Sequence, residues 1–226
     1  MTDRSRRREE TRARLVGAAV EVFAAQGITA STVEQVCDRA GFTRGAFYSN
    51  FESKNDLCRE ILDVETQFYG EAFAKGAADF AGHFSAFPAD LRRDPYEVLE
   101  LGLRQLLPAF IAGADDRAAS HTMVSLLFTE LGLYAAREAG IRAAYQRYAE
   151  AILDPIEQLF GPLLGLAGLE LRMDSTSAAE IVHSLWESGS RQALLLASSP
   201  SQLVDVVAEH VMVGLRLVTR EIGSGA

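Results

Sequence analysis

The sequence predicts an all-α fold, and three observations carry that reading. Apolar residues recur at spacings of three and four through nearly every segment that lies between turn signals. No segment alternates apolar and polar residues over a strand's length, and no repeat of fixed period occurs. Glycines, prolines and short capping side chains cut the chain into about nine helices, three short and six longer. The chain has 226 residues, 48% of them hydrophobic and 23% charged, which is enough for one large domain or two modest ones with a real core.

The first helix is predicted over residues 9–25. Leu15, Ala18, Ala19, Val22 and Phe23 form its buried stripe, and Gly27 closes it. Ahead of it Arg4, Arg6, Arg7 and Arg8 form a basic arm that is expected to be mobile and to follow the backbone or the minor groove of a nucleic acid. The second helix buries Val33, Val36, Cys37 and Ala40 and ends at Gly41 in the left-handed region. Thr43 caps a third, short helix, in which Phe47 and Phe51 share one face and Arg44 and Tyr48 another. A long helix starts at Glu52 or Ser53 with Leu57, Ile61, Val64, Phe68 and Ala72 on one face. It runs toward Phe80, and Gly70 and Gly76 are its places to bend.

Residues 82–94 read as a loop, and Asp94-Pro95 opens a helix to about Ala112. Asp115-Asp116 opens the next, which reaches Arg137 and is apolar on almost every face. His121, Thr129, Glu130 and Tyr134 place polar atoms on it that need partners. Another helix follows Gly140 to about Leu164. Residues 165–174 read as a loop, a helix spans 176–197, and Ser199-Pro200 opens the last, which ends near Ile222. The last two carry apolar stripes with small residues between them. Ser188, Val207, Val211, Gly214 and Val218 are the predicted contacts of a homodimer.

Charge is unevenly placed. The net charge is −9, yet residues 1–60 carry ten bases against nine acids, and residues 61–226 carry twelve against twenty-two. A mildly basic N-terminal module on an acidic body fits a protein that binds DNA at one end only. General DNA compaction is excluded by the sum. Cys37 and Cys58 sit at core-like helix positions, as small hydrophobes do in a reducing compartment. No apolar run reaches the roughly 20 residues that span a bilayer, and no secretory pattern opens the chain, so a cytoplasmic location without membrane contact is expected. There is no nucleophile elbow, phosphate-binding loop or dinucleotide fingerprint. The four histidines stand apart, so no metal, cofactor or catalytic residue is expected.

Residues 32–55 therefore carry the chemistry. Two short helices joined by a tight turn suit a unit whose first helix crosses the phosphate backbone and whose second enters the major groove. Arg44 is the candidate for base readout, because a guanidinium donates two bonds to guanine O6 and N7. Gly45 has no side chain, so the helix can approach base edges closely. Tyr48, Thr32 and Lys54 are the candidate phosphate contacts, and Thr43, Ser49 and Asn50 complete the DNA-binding set.

This stretch resembles the helix-turn-helix of TetR-family transcriptional repressors. The resemblance rests on Thr32, the Ala40-Gly41-Phe42 turn, Thr43, Arg44 and Gly45, and on the pattern Tyr48-x-x-Phe51-x-x-Lys54-x-x-Leu57; it covers residues 11–61. Asn50 stands where the family often carries His or an aromatic. The resemblance implies a DNA-binding domain over residues 1–52 and a ligand-binding and dimerisation domain over residues 53–226. The protein would be a non-enzymatic homodimer that binds a two-fold symmetric double-stranded operator and releases it on binding a small molecule. In the family a pocket lies among the body helices. By position its candidates here are Phe68, Phe110, His121, Phe128, Tyr134 and Trp186, and the acidic, apolar body favours an apolar or cationic effector. The alternative is an α-helical small-molecule-binding protein or enzyme with an incidental helix-turn-helix.

Overall fold

A computed structural model describes residues 3–84, 94–111, 121–197 and 199–223. Among them lie ten helices: α1 (Asp3–Gln26), α2 (Val33–Ala40), α3 (Arg44–Tyr48), α4 (Lys54–Phe84), α5 (Pro95–Ile111), α6 (His121–Arg137), α7 (Ala139–Ala151), α8 (Leu153–Ala167), α9 (Ser175–Leu196) and α10 (Pro200–Val218). The predicted opening at Asp115-Asp116 and most of the 82–94 loop fall outside the described residues. Residues 82–84, read as loop, are the end of α4.

Four expectations are corrected. The basic arm is not a free arm, because α1 is helical from Asp3. Arg and Glu are good helix formers, and Arg6 pairs with Glu10 one turn on at 3.7 Å. The single helix expected from Gly140 to Leu164 is interrupted at Ile152, between α7 and α8. Pro155 lacks an N–H, and its ring meets the carbonyl four residues back. Ile152 itself keeps helical dihedrals, φ −72° and ψ −19°.

The third correction is a short ladder. Leu169–Leu171 (β1) pairs antiparallel with Thr219–Glu221 (β2), with Leu169 opposite Glu221 and Leu171 opposite Thr219. Gly168, at φ +76°, closes α8 and turns the chain into β1. The amide of Ile222 donates to the Gly168 carbonyl at 3.0 Å, and that of Arg172 to Val218 at 2.8 Å. This ladder ends α10 at Val218 instead of near Ile222. Three residues are too few to show an alternating pattern.

The fourth concerns α4. In its first three turns Leu57, Cys58, Ile61, Leu62 and Glu65 are buried, whereas Val64 is 36% exposed. The face turned inward is rotated from the one read off the sequence.

The described chain forms two compact units. The first comprises residues 1–67 and 115–149, the second residues 68–114 and 150–226. In the first, α1 packs on α2 and α6, and α2 on α3. Leu15, Phe23, Ile28, Phe47, Phe51, Ile61, Leu127, Leu131 and Ile141 are fully buried. The core of the second runs through Leu107, Phe160, Val182, Val207, Met212 and Val218.

In the second unit α9 and α10 lie closest. A Cβ on Gly214 would sit 3.0 Å from Leu185 Cδ1, and one on Gly189 would sit 3.2 Å from the Val207 Cα. The stripe read as a dimer face is therefore turned the other way. Val207, Val211 and Val218 are buried in the chain's own α9–α10 seam, and Gly214 lets that seam close. The small residues serve close approach, as expected, but within one chain.

Candidate nucleic-acid interface

Local chemistry fixes α2 and α3 before packing does. Thr32 caps α2: its hydroxyl accepts from the Gln35 amide at 3.3 Å, and Gln35 Oε1 accepts from the Thr32 amide at 2.8 Å. This reciprocal box stabilises a helix start by about 1 kcal/mol. Gly41, at φ +72°, ends α2 in a Schellman turn: its amide donates to the Asp38 carbonyl and the Phe42 amide to Cys37 at 2.9 Å. Thr43 then caps α3 by accepting from the Ala46 amide at 3.2 Å.

α3 has only five residues, so neighbours must hold it. Phe47 and Phe51 are buried, 5.7 Å apart between ring centroids, and anchor one side. Burial of such a ring stabilises the fold by about 1.5–3 kcal/mol. The opposite side faces solvent. Tyr48 is 51% exposed, with its ring edge-on to Phe47 at 5.3 Å. Arg44 is exposed, with its guanidinium 2.9 Å from Glu34 and 6.0 Å from the Tyr48 ring. A hydrogen bond with Tyr48, and then Glu34, push its pKa further up. A Cβ on Gly45 would meet only the Thr43 hydroxyl, at 3.7 Å, so nothing within the chain requires glycine there.

The other predicted DNA contacts divide by use. The Ser49 hydroxyl and the Asn50 Nδ2 both donate to the Ala46 carbonyl at 2.8 Å, which stops α3. Lys54 is turned inward. Its ammonium donates to the carbonyls of Ile28 at 2.6 Å and Ser31 at 3.0 Å and lies 5.7 Å from the Tyr134 ring. A phosphate contact by Lys54 has only its third N–H, or the exchange of one of those bonds, to draw on. Thr32, Thr43, Arg44, Gly45, Tyr48 and Ser49 remain exposed on the reading side.

Sequence reading assigned no role to Arg12, Arg14, Asn55 or an acceptor on α6. Arg12 donates to the Asn50 carbonyl at 2.8 Å, and Arg14 to Ala40 at 2.7 Å. Glu130 of α6 accepts from the Ile28 amide at 3.4 Å, and Tyr134 donates to Asn55 Oδ1 at 2.7 Å. Of the α6 side chains that needed partners, Glu130 and Tyr134 thus meet the turn after α1 and the start of α4, while Thr129 donates to the Ser125 carbonyl one turn back at 3.0 Å. Only the requirement for partners was visible beforehand.

The candidate pocket residues are split. Phe68, Phe110 and Trp186 belong to the second unit, and His121, Phe128 and Tyr134 to the first. The side chains of Phe110 and His121 lie outside the described ones. Phe128 stacks on Tyr148 at 5.0 Å, Phe68 meets Tyr69 edge-on at 5.6 Å, and Trp186 packs against the second core. Among the described residues no helix is long and apolar enough to cross a membrane, and no cluster of three His, Cys, Asp or Glu could hold a metal ion.

The family profile described as bacterial regulatory proteins, tetR family, matches residues 15–61, which hold most of α1, all of α2 and α3 and the start of α4. The likeness to that family is thus in the segment that carries the helix-turn-helix. The HTH-type transcriptional regulator SrpR of Pseudomonas putida is 46% identical over 54 residues, which is 24% of this chain and 25% of that relative. The match therefore spans about a quarter of that relative's length. The HTH-type transcriptional regulator AcrR of Shigella flexneri is 23% identical over 209 residues, 92% of this chain and 89% of that one. The fold of E. coli NemR in its reduced form superposes with a TM-score of 0.65 at 15% identity, covering 95% of this chain and 99% of that one. Likeness in sequence to the family thus lies in α1 to α4, while the overall fold is shared with NemR over nearly the whole chain.

Proposed function

We propose that this protein is a homodimeric transcriptional repressor that a small-molecule effector releases from its operator. One observation carries the reading: α3 buries Phe47 and presents Arg44, Gly45 and Tyr48 to solvent, inside a helix-turn-helix that matches the tetR family. Residues 1–52 would read DNA, and residues 53–226 would bind the effector and dimerise. Arg44 reads a guanine, while Thr32 and Tyr48 orient the domain against phosphates. Cytoplasmic residence follows from that partner.

A two-fold operator needs two reading helices about 34–36 Å apart, so the active species is a dimer. Its contact lies on the outward sides of α9 and α10, where Leu195 is 86% exposed, Val213 52% and Leu217 58%. Ser188 is half-buried on α9. The effector, apolar or cationic, acts only by favouring one spacing over the other. Relatives of this chain are named as transcriptional regulators, and that favours this reading over a small-molecule-binding protein or enzyme.

The test is selection of bound fragments from genomic DNA, followed by titration of the selected duplex and a random one. Retention of one palindromic family of sequences supports the reading. Equal binding to both duplexes, or turnover of a small molecule without DNA preference, sinks it.

A further inference from the structure

We propose that Arg12 and Arg14 are positioning residues for base readout: they clamp the turns on either side of α3 to α1 and contact no phosphate. The inference rests on the regulator reading. The two arginines are two residues apart on α1 and so leave it about 200° apart. From there they reach opposite ends of the recognition helix. Arg14 lies over the Phe42 ring at 4.5 Å and donates to the Ala40 carbonyl at 2.7 Å, in the turn before α3. Arg12 lies over the Phe51 ring, also at 4.5 Å, and donates to the Asn50 carbonyl at 2.8 Å, in the turn after α3. Arg12 also pairs with Glu60 on α4.

The need for such a clamp follows from length. Five residues make about one and a half turns, and a helix that short does not hold its own axis. The buried Phe47 pins α3 at one place and leaves its tilt open. Two guanidinium–carbonyl bonds, one before and one after, define a line. Each also places a cation where a helix end leaves carbonyls unpaired and the dipole is negative. A bidentate bond from Arg44 to a base needs heavy atoms within about 3.2 Å and near-linear geometry, so a small tilt of α3 breaks it. Arg12 is half-buried and Arg14 exposed, so it is the main-chain bond and the ring beneath each fork, not burial, that assign it to the turn instead of a phosphate.

The test uses the full-length protein, the selected operator duplex and a random duplex, titrated across salt for wild type, Arg14→Met, Arg14→Lys, Arg12→Lys and Phe42→Leu. Arg14→Met and Phe42→Leu are expected to lower operator affinity about 10-fold while random-duplex affinity stays within about 2-fold. The slope of log affinity on log salt is expected to stay at the wild-type value. Lysine, a point charge without the planar fork, is expected not to restore the ratio at either position. Phe42→Leu keeps every charge, so it stays informative if Arg14→Met unfolds. The double variant Arg14→Met with Phe42→Leu is expected to lose no more than either alone.

A slope that falls by about one per half-site in Arg14→Met, with the operator-to-random ratio intact, makes these arginines phosphate contacts and overturns the clamp. So does an unchanged ratio in all variants. If wild type itself prefers no sequence, the regulator reading fails first, and the clamp falls with it.

Discussion

At the scale of residues, three glycines near the reading helix do two different jobs, and substitution separates them. Gly27 sits at φ +81°, and a Cβ there would stand 2.9 Å from Glu130 Oε2. Gly27→Ala is expected to cost about 1–2 kcal/mol from backbone strain alone, and more if Glu130 is displaced from Ile28, read as a lower urea midpoint. Gly45 has helical dihedrals and open space outside. Gly45→Ala is expected to leave stability within about 0.5 kcal/mol yet weaken operator binding, because the methyl stands where base edges approach. Gly41 ends α2 and falls with the first kind. Arg44→Ala is expected to cost about 1–3 kcal/mol on the best operator and to relax preference at one base per half-site. A uniform loss across all sequences would remove Arg44 from base readout.

Among the elements, α9 and α10 show most clearly how a seam differs from an interface. Gly214→Ala pushes a methyl against Leu185 and the Val182 Cα, and overpacking of this kind costs about 1–3 kcal/mol. It is expected to lower the thermal midpoint of the whole protein without selectively dissociating a dimer. Val213→Lys with Leu217→Lys acts on exposed positions four apart on one face. It is expected to leave helical content unchanged and to give a monomer by sedimentation, with operator binding lost. Gly214, expected from the sequence at a dimer contact, is thus a probe of folding. The same unit carries a pH signature. Burial holds His183 of α9 below its ordinary 6.5, and Glu187 one turn on opposes that. The folded state thus takes up the proton later than the unfolded chain. Stability is full above pH 6.5, falls as pH drops below it, and levels off beneath the folded pKa. The slope is at most about 1.4 kcal/mol per pH unit for one proton. Urea midpoints between pH 8 and 5 should show the fall, and His183→Gln should flatten it.

In the molecule as a whole, α4 is one unbroken helix that gives its first part to the unit holding α1 to α3 and its second part to the other. Leu57, Ile61 and Leu62 fix the first part, and Phe68 opens the second. An effector that acts through the second unit has this helix as a covalent route to α3. Coupling of this kind is about 1–3 kcal/mol, so induction should change operator affinity about 5- to 150-fold. Phe68→Ala is expected to keep the dimer and to change either effector affinity or that ratio, as read by operator titration with and without an identified effector. If both stay at wild-type values, neither the pocket nor the route includes Phe68.

The sequence by itself determined the local parts of this protein. Thr32, Gly41 and Thr43 set where α2 and α3 begin and end, because caps and turns are made by residues adjacent in the chain. The 3.6-residue period placed Leu15, Phe23, Phe47 and Phe51 inside and left Arg44 and Tyr48 outside. Tertiary structure decided whatever depends on residues far apart. Glu130 and Ile28 are 102 positions apart, and Arg12 and Asn50 are 38 apart; a periodicity within one helix carries no trace of either pair. The same holds for Lys54. Its type and place suit a phosphate, but the nearest acceptors are two carbonyls some two dozen residues upstream. The direction of the α10 stripe was open for the same reason. An apolar face records that it must be covered, and only packing decides whether α9 of the same chain or a second copy covers it.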